Sequence, residues 1–199
     1  MTTSLKGIRV LELAQIMAGP TCGLLLADLG AEVIKIEKTP AGDDTRNFLP
    51  PDINGEAAAF MMMNRNKKGI ALNLKEKDGI KIFKEMVKNS DVVLENFRKG
   101  TLEKLGIGYD ELSKINPKII LCEISGYGRT GPYSSKGGFD LVAQGMSGLM
   151  SITGESKNKP PMKVGAPITD ITAGLLASTG ILAALVHREK TGEGQKVDT

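Results

Sequence analysis

Short, almost unbroken apolar runs recur along this chain and alternate with stretches of helical spacing. Ile8–Leu13 has the pattern of a strand buried on both faces. Ala18-Gly19-Pro20 opens a helix through Leu24–Leu29, closed by Gly30, and Glu32–Glu37 is a second strand. This order predicts two parallel strands joined by a right-handed crossover. Residues 39–66 show no period and read as irregular, with Gly42-Asp43-Asp44, Pro50-Pro51 and the run Met61-Met62-Met63. The methionines suit packing filler or a flexible ligand contact. A third strand is predicted at Ile70–Leu74 and a helix at Asp78–Lys88, with Ile82, Phe83, Met86 and Val87 on one side. Asp91–Glu95 is a fourth strand. Short helices at Leu102–Leu105 and Tyr109–Ile115 lead to a fifth, Ile119–Ile124. After the glycine-rich loop Ser125–Pro132 come a helix over Phe139–Leu149, a loop with Pro160-Pro161 and a long helix from Ile171. The alternation predicts an α/β fold: a Rossmann-like, doubly wound, mostly parallel sheet with helices on both faces.

Composition narrows the function. The 199 residues are 41% hydrophobic and 25% charged, with a net charge of +3, which suits an ordinary globular chain. No basic stripe with interleaved aromatics is present, so nucleic acid is not an expected partner. No apolar run reads as long enough to cross a bilayer, so no membrane role is expected. The N-terminus runs straight into a strand without a leader pattern, and a cytoplasmic location is expected. Cys22 and Cys122 fit no metal or redox spacing, and Cys122 reads as a core residue. The single histidine, His187, sits at the basic end of the last helix, where it complements the helix C-terminus. The final residues, Gln195–Thr199, look like a strand just beginning, which predicts a longer polypeptide.

Asp170 is the only acid between Glu155 and Glu189, in a stretch that is otherwise small or apolar. Burying a carboxylate is costly unless it is paired or caps a helix. Thr169 or Asp170 would serve as an ordinary N-cap after Pro167. A carboxylate held there stays ionised, which is also the form that acts as a nucleophile. Other candidates are less specific. Asn64-Arg65-Asn66-Lys67-Lys68 is either a solvated loop or an anion site, which Lys35, Lys38, Lys75 and Lys104 would join. Asn96-Phe97 stands at the carboxyl end of the fourth strand, where doubly wound sheets bind ligands; it suits a heterocycle or simple turn chemistry. The first turn lacks G-x-G-x-x-G, and no P-loop is present.

The ordered set Leu5–Leu13, Ala18-Gly19-Pro20, Leu29–Glu37, Gly42–Arg46, Asn66-Lys67-Lys68, Asp91–Phe97, Ser125–Gly128, the surroundings of Asp170 and Thr191–Val197 resembles the N-terminal half of the class III CoA-transferases. That superfamily also holds the α-methylacyl-CoA racemases. The resemblance covers nearly the whole chain and implies a CoA-binding, Rossmann-like large domain over residues 1–199, incomplete without a second half. It implies Asp170 as the nucleophile that attacks an acyl-CoA thioester, with coenzyme A as co-substrate, a small carboxylic acid as acceptor and no metal. CoA contacts carry over to Ile16, Lys38, Leu72, Lys75, Asn96, Phe97, Lys104 and Leu105. The lysines would meet phosphates, and Leu72 and Phe97 would pack adenine or pantetheine. The racemases carry His in a Gly-His-Asp motif where this chain has Gly138-Phe139-Asp140; Phe cannot accept a proton, which favours transfer. Asp140 is the second functional acid, orienting neighbours or capping the next helix. The alternatives are a racemase-like isomerase and a non-catalytic CoA-binding module. Family members are about twice as long and form interlocked homodimers, so the isolated chain is expected to show little activity and to expose apolar surface.

Overall fold

In the computed structural model, which describes residues 3–156 and 158–199, the first apolar run forms β1 (Arg9–Glu12). Then come α1 (Ala18–Asp28) and β2 (Glu32–Glu37). The aperiodic stretch after β2 is more ordered than its pattern suggests. It holds a 3-10 turn (Asp44–Asn47), a hairpin of β3 (Asp52–Ile53) and β4 (Glu56–Ala57), and helix α2 (Ala58–Asn64). The methionines ride on α2: Met63 is buried beside Thr21, whereas Met61 and Met62 face outward. β5 (Lys68–Ala71) begins two residues before the apolar run that predicted it, because its register is set by pairing with Ile34–Glu37 of β2. The chain continues through α3 (Lys77–Val87), β6 (Val92–Glu95), α4 (Thr101–Lys104), α5 (Tyr109–Ile115) and β7 (Ile120–Glu123). The helix expected over 139–149 is divided into α6 (Asp140–Met146) and α7 (Leu149–Ile152) by Gly148. α8 (Ile168–Thr191) and β8 (Lys196–Asp198) complete the chain.

Six parallel strands form one sheet in the order β5-β2-β1-β6-β7-β8. Side chains alternate across it. Val10, Val92, Leu94, Ile120 and Cys122 face α1 and α8 and pack with Cys22, Leu26, Ile181 and Ala184. Leu11, Val93 and Leu121 face the other way, toward Phe83, Val87, Ile107 and Leu112. Both faces are therefore buried, which is why the strands read as apolar runs rather than as alternating ones. α1 and α8 approach so closely that a Cβ on Gly174 would lie 2.6 Å from the Ala18 carbonyl oxygen.

α8 also corrects an expectation. At 24 residues, with a mean hydropathy of 1.6 in its most apolar window, it is long and apolar enough to span a bilayer by length and composition. In the fold, Ala177, Ile181 and Ala184 carry it against α1 and the sheet as the crossover from β7 to β8. Strand order reverses between β1 and β6, and in sheets of this kind ligands bind in the crevice outside the carboxyl ends at such a switch point.

Candidate active site

A cavity of about 600 Å³ opens at that switch point. Ile16 and Met17, following β1, form one wall, and Asn96–Lys99, following β6, form another. The loop after β7 and the first turn of α8, with Asp170, close the rest.

The expectation that Thr169 or Asp170 caps the last helix is not met. α8 starts at Ile168, with Pro167 at the N-cap position and no side-chain cap of its own. The free N–H groups are served from α6 instead. Asp140 Oδ1 accepts from the Thr169 N–H (2.9 Å) and from the Thr169 hydroxyl (2.6 Å). Gln144 Nε2 donates to Asp140 Oδ2 (2.7 Å), while its carbonyl accepts from the Val164 N–H (2.8 Å). Burial opposes the Asp140 charge, but the bonds from Thr169 and Gln144 outweigh it and hold this carboxyl below the usual range. Asp170 is treated in the opposite way. It is half-buried, and no hydrogen bond to its carboxylate offsets that burial among the described residues. Burial, reinforced by the charge of Asp140, pushes its pKa above that of an ordinary aspartate. Asp170 is thus a carboxylate without a structural task, standing at a cavity wall.

The turn after β1 is unusual. Ile16 adopts φ +69°, a left-handed conformation that costs a β-branched residue on the order of 1–3 kcal/mol. Asn96 holds the preceding residue at both ends: Gln15 N–H donates to Asn96 Oδ1 (2.9 Å), and Asn96 Nδ2 donates to the Gln15 carbonyl (2.8 Å). Turn chemistry across two loops therefore occupies the amide that was a candidate for holding a heterocycle. Behind the turn lies a buried chain of charges. Lys35 Nζ meets Asp43 Oδ2 (2.8 Å) and Glu12 Oε1 (3.0 Å), and Lys67 Nζ meets Glu12 Oε2 (2.8 Å). Burial alone would depress Lys35, but Glu12 and Asp43 hold it above its ordinary value, whereas burial prevails at Lys67 and lowers it.

Within residues 64–68 the three cations are paired, Lys67 in the interior and Arg65 and Lys68 at the surface. Lys67 is spent on Glu12, Arg65 on Asp28 and Lys68 on Glu32. The other site candidates are scattered along one edge. Ile16, Asn96 and Phe97 line the cavity with Asp170. Lys38 does not line it but pairs with Asp44, which does. Lys75 and Lys104 are exposed on the segments that follow β5 and β6. Leu72 is a core residue beside Phe83, and Leu105 packs partly against the same cluster. The cavity instead recruits Arg98, Lys99 and Lys136, which the sequence reading missed. Arg98 and Lys99 directly follow the Asn96-Phe97 pair already singled out, which was the available signal.

The glycine-rich loop is cinched where Gly126 and Gly138 cross, with no room for a Cβ on either backbone. Between them, the rings of Tyr127 and Tyr133 meet edge to face at 5.6 Å. Lys136 Nζ lies 3.9 Å over Tyr133, and Lys99 donates to Ser134 Oγ (3.2 Å). Such a loop, closed at its neck and packed on itself, has the form of an Ω-loop. Arg129 anchors it by bonding to Glu95 and Glu123 at the ends of β6 and β7. Burial pushes Glu95 up to about 7 despite Arg129.

Known proteins resemble the chain closely. The family model described as CoA-transferase family III matches residues 5–199. The succinyl-CoA:glutarate CoA-transferase of Mus musculus is 47% identical over 194 residues, covering 98% of this chain and 44% of that protein. The succinate–glutarate CoA-transferase of Agrobacterium fabrum is 46% identical over 200 residues, covering 98% and 50%. The crystal structure of a CAIB/BAIF family protein from Brucella suis superposes with a TM-score of 0.95 at 44% identity, covering all of this chain and 53% of that one. The chain spans about half the length of the curated relatives it matches.

Proposed function

Because this chain belongs to CoA-transferase family III, we propose that it is the CoA-binding half of an enzyme that moves CoA from an acyl-CoA to a carboxylic acid through an acyl bond to Asp170. The observation that carries this reading is the division of labour between two acids: Asp140 caps α8, and the Asp170 carboxylate, at the cavity, accepts no hydrogen bond among the described residues. The ordinary structural reason for an acid at this place, capping the helix, is met by Asp140.

An Asp170 oxygen attacks the thioester carbonyl, the C–S bond breaks, and a mixed anhydride and CoA thiolate result. The thiolate attacks the aspartyl carbonyl of the anhydride and releases the first acid, leaving an aspartyl thioester. The acceptor carboxylate attacks that thioester and expels the thiolate, which then takes the acceptor acyl group from the new anhydride. Asp170 is regenerated. Every intermediate is an activated acyl group, so no single step carries the whole barrier. Burial raises the basicity of Asp170 and with it its strength as a nucleophile.

The acids exchanged are dicarboxylates on this reading. The relatives are named for succinyl-CoA, glutarate and malate, and Arg98, Lys99 and Lys136 offer cations for a second carboxylate. Phe139, 66% exposed at the cavity, supplies no proton acceptor, which disfavours racemisation. The complete protein works as a cytoplasmic homodimer, and the exposed Leu141, Met146, Ile152 and Leu176 belong to surfaces that its remaining parts cover. Hydroxylamine trapping during turnover of the full-length protein, followed by peptide mass analysis, tests the mechanism. A hydroxamate at Asp170 is expected; a label on any other residue refutes it.

A further inference from the structure

The left-handed residue at the cavity wall is held from one side by a single buried acid. Both Asp43 oxygens accept the Ile16 N–H (3.2 and 3.3 Å). The same carboxylate takes the Thr45 N–H (2.9 Å) and the Thr45 hydroxyl (2.8 Å), so its orientation is fixed within its own loop. Lys35 then locks it from beneath and also donates to the Ala14 carbonyl (2.9 Å). Lys67, the far end of the network, donates to the Pro20 carbonyl (2.9 Å). The backbone is thus gripped by charged side chains at residues 14, 16 and 20, on both sides of the point where it reaches the cavity. A bond network this complete around one unfavourable φ shows where the strain is held in place.

We infer that Asp43 is a positioning residue for the thioester site: by binding the Ile16 N–H it keeps this turn in the shape that receives CoA. It touches no reacting atom; it acts through Ile16. This inference rests on the cavity being the CoA site. It differs from a plain stabilising role, because the effect of Asp43 must depend on which residue stands at position 16.

The test is a double-mutant cycle in the protein extended to the length of its relatives, with binding of free coenzyme A measured by calorimetry. Asp43→Asn keeps the shape but removes the charge, and CoA affinity is expected to fall about tenfold. Ile16→Gly makes the left-handed conformation free of strain. In that background, Asp43→Asn is expected to cost less than about threefold. Equal losses in both backgrounds, or no loss in either, would overturn the inference. If the unaltered protein does not bind CoA, the cavity assignment fails first, and this inference with it. Should Asp43→Asn not fold, Ile16→Asn and Ile16→Val carry the test. Asn tolerates φ above zero and Val does not, so the Asn variant is expected to melt higher and bind CoA more tightly. Equal melting and equal affinity would refute the role.

Discussion

Asp43 and Asp170 stand at the same edge of the same sheet under opposite conditions. Asp43 is fully buried and surrounded by donors; burial opposes its charge, but Lys35 and Thr45 outweigh that and hold its pKa down. Asp170 is only half-buried, yet burial, reinforced by the charge of Asp140, raises its pKa, since no hydrogen bond to it among the described residues offsets that burial. Depth alone therefore does not decide which carboxyl is raised. A carboxylate that is satisfied shapes the backbone, and one left unsatisfied is available for chemistry.

The largest test of this contrast is Asp170→Ala in the full-length protein. Transfer is expected to fall at least about 1,000-fold, since the covalent route has no substitute nucleophile; activity within tenfold of normal would end the assignment. Next comes Lys35→Met, which leaves Asp43 buried without its counter-charge and Glu12 with Lys67 alone. Removing one partner of such a buried pair costs about 3–5 kcal/mol, to be read from urea unfolding. A loss below 1 kcal/mol would show that the network is not structural.

Asp140→Asn addresses the other side of the comparison. It removes the repulsive charge, so the acid limb of kcat/KM, which follows ionisation of Asp170, should move to lower pH. In the unaltered enzyme that limb should lie above the pKa of about 3.9 for a free aspartate. No movement would mean that Asp140 does not sense its neighbour.

The smallest effect concerns stability. A group whose folded pKa is raised binds its proton more tightly when folded, so it costs stability once pH exceeds the unfolded pKa. Asp170→Asn removes that cost. It should raise Tm at pH 7 by no more than about 2 °C, with the gain vanishing below about pH 4. A lower Tm at pH 7 would mean that Asp170 does hold a structural bond.

The strands and helices were legible because both faces of the sheet are buried, which writes each strand as an apolar run. Asp170 was legible as a lone acid among small residues. What escaped depends on partners distant in sequence. The cap of α8 lies on Asp140, and the partner of Lys67 is Glu12 across the sheet, so neither the helix start nor the fate of the basic cluster follows from local spacing. The hairpin and α2 were missed because residues 39–66 carry no period. The cations Arg98, Lys99 and Lys136 come from two loops that only the fold brings to one cavity.

The crossing of Gly126 and Gly138 has a consequence for how this wall of the cavity can vary. The loop between them leaves and re-enters through one knot of bare backbone, and Arg129 ties only its near side to the strands. The stretch beyond Arg129, from Thr130 to Gly137, hangs outside the sheet like an interchangeable nozzle. With the two glycines kept, a replacement of this stretch is expected to leave the strands in place while it reshapes the wall that Ser134 and Lys136 give the cavity.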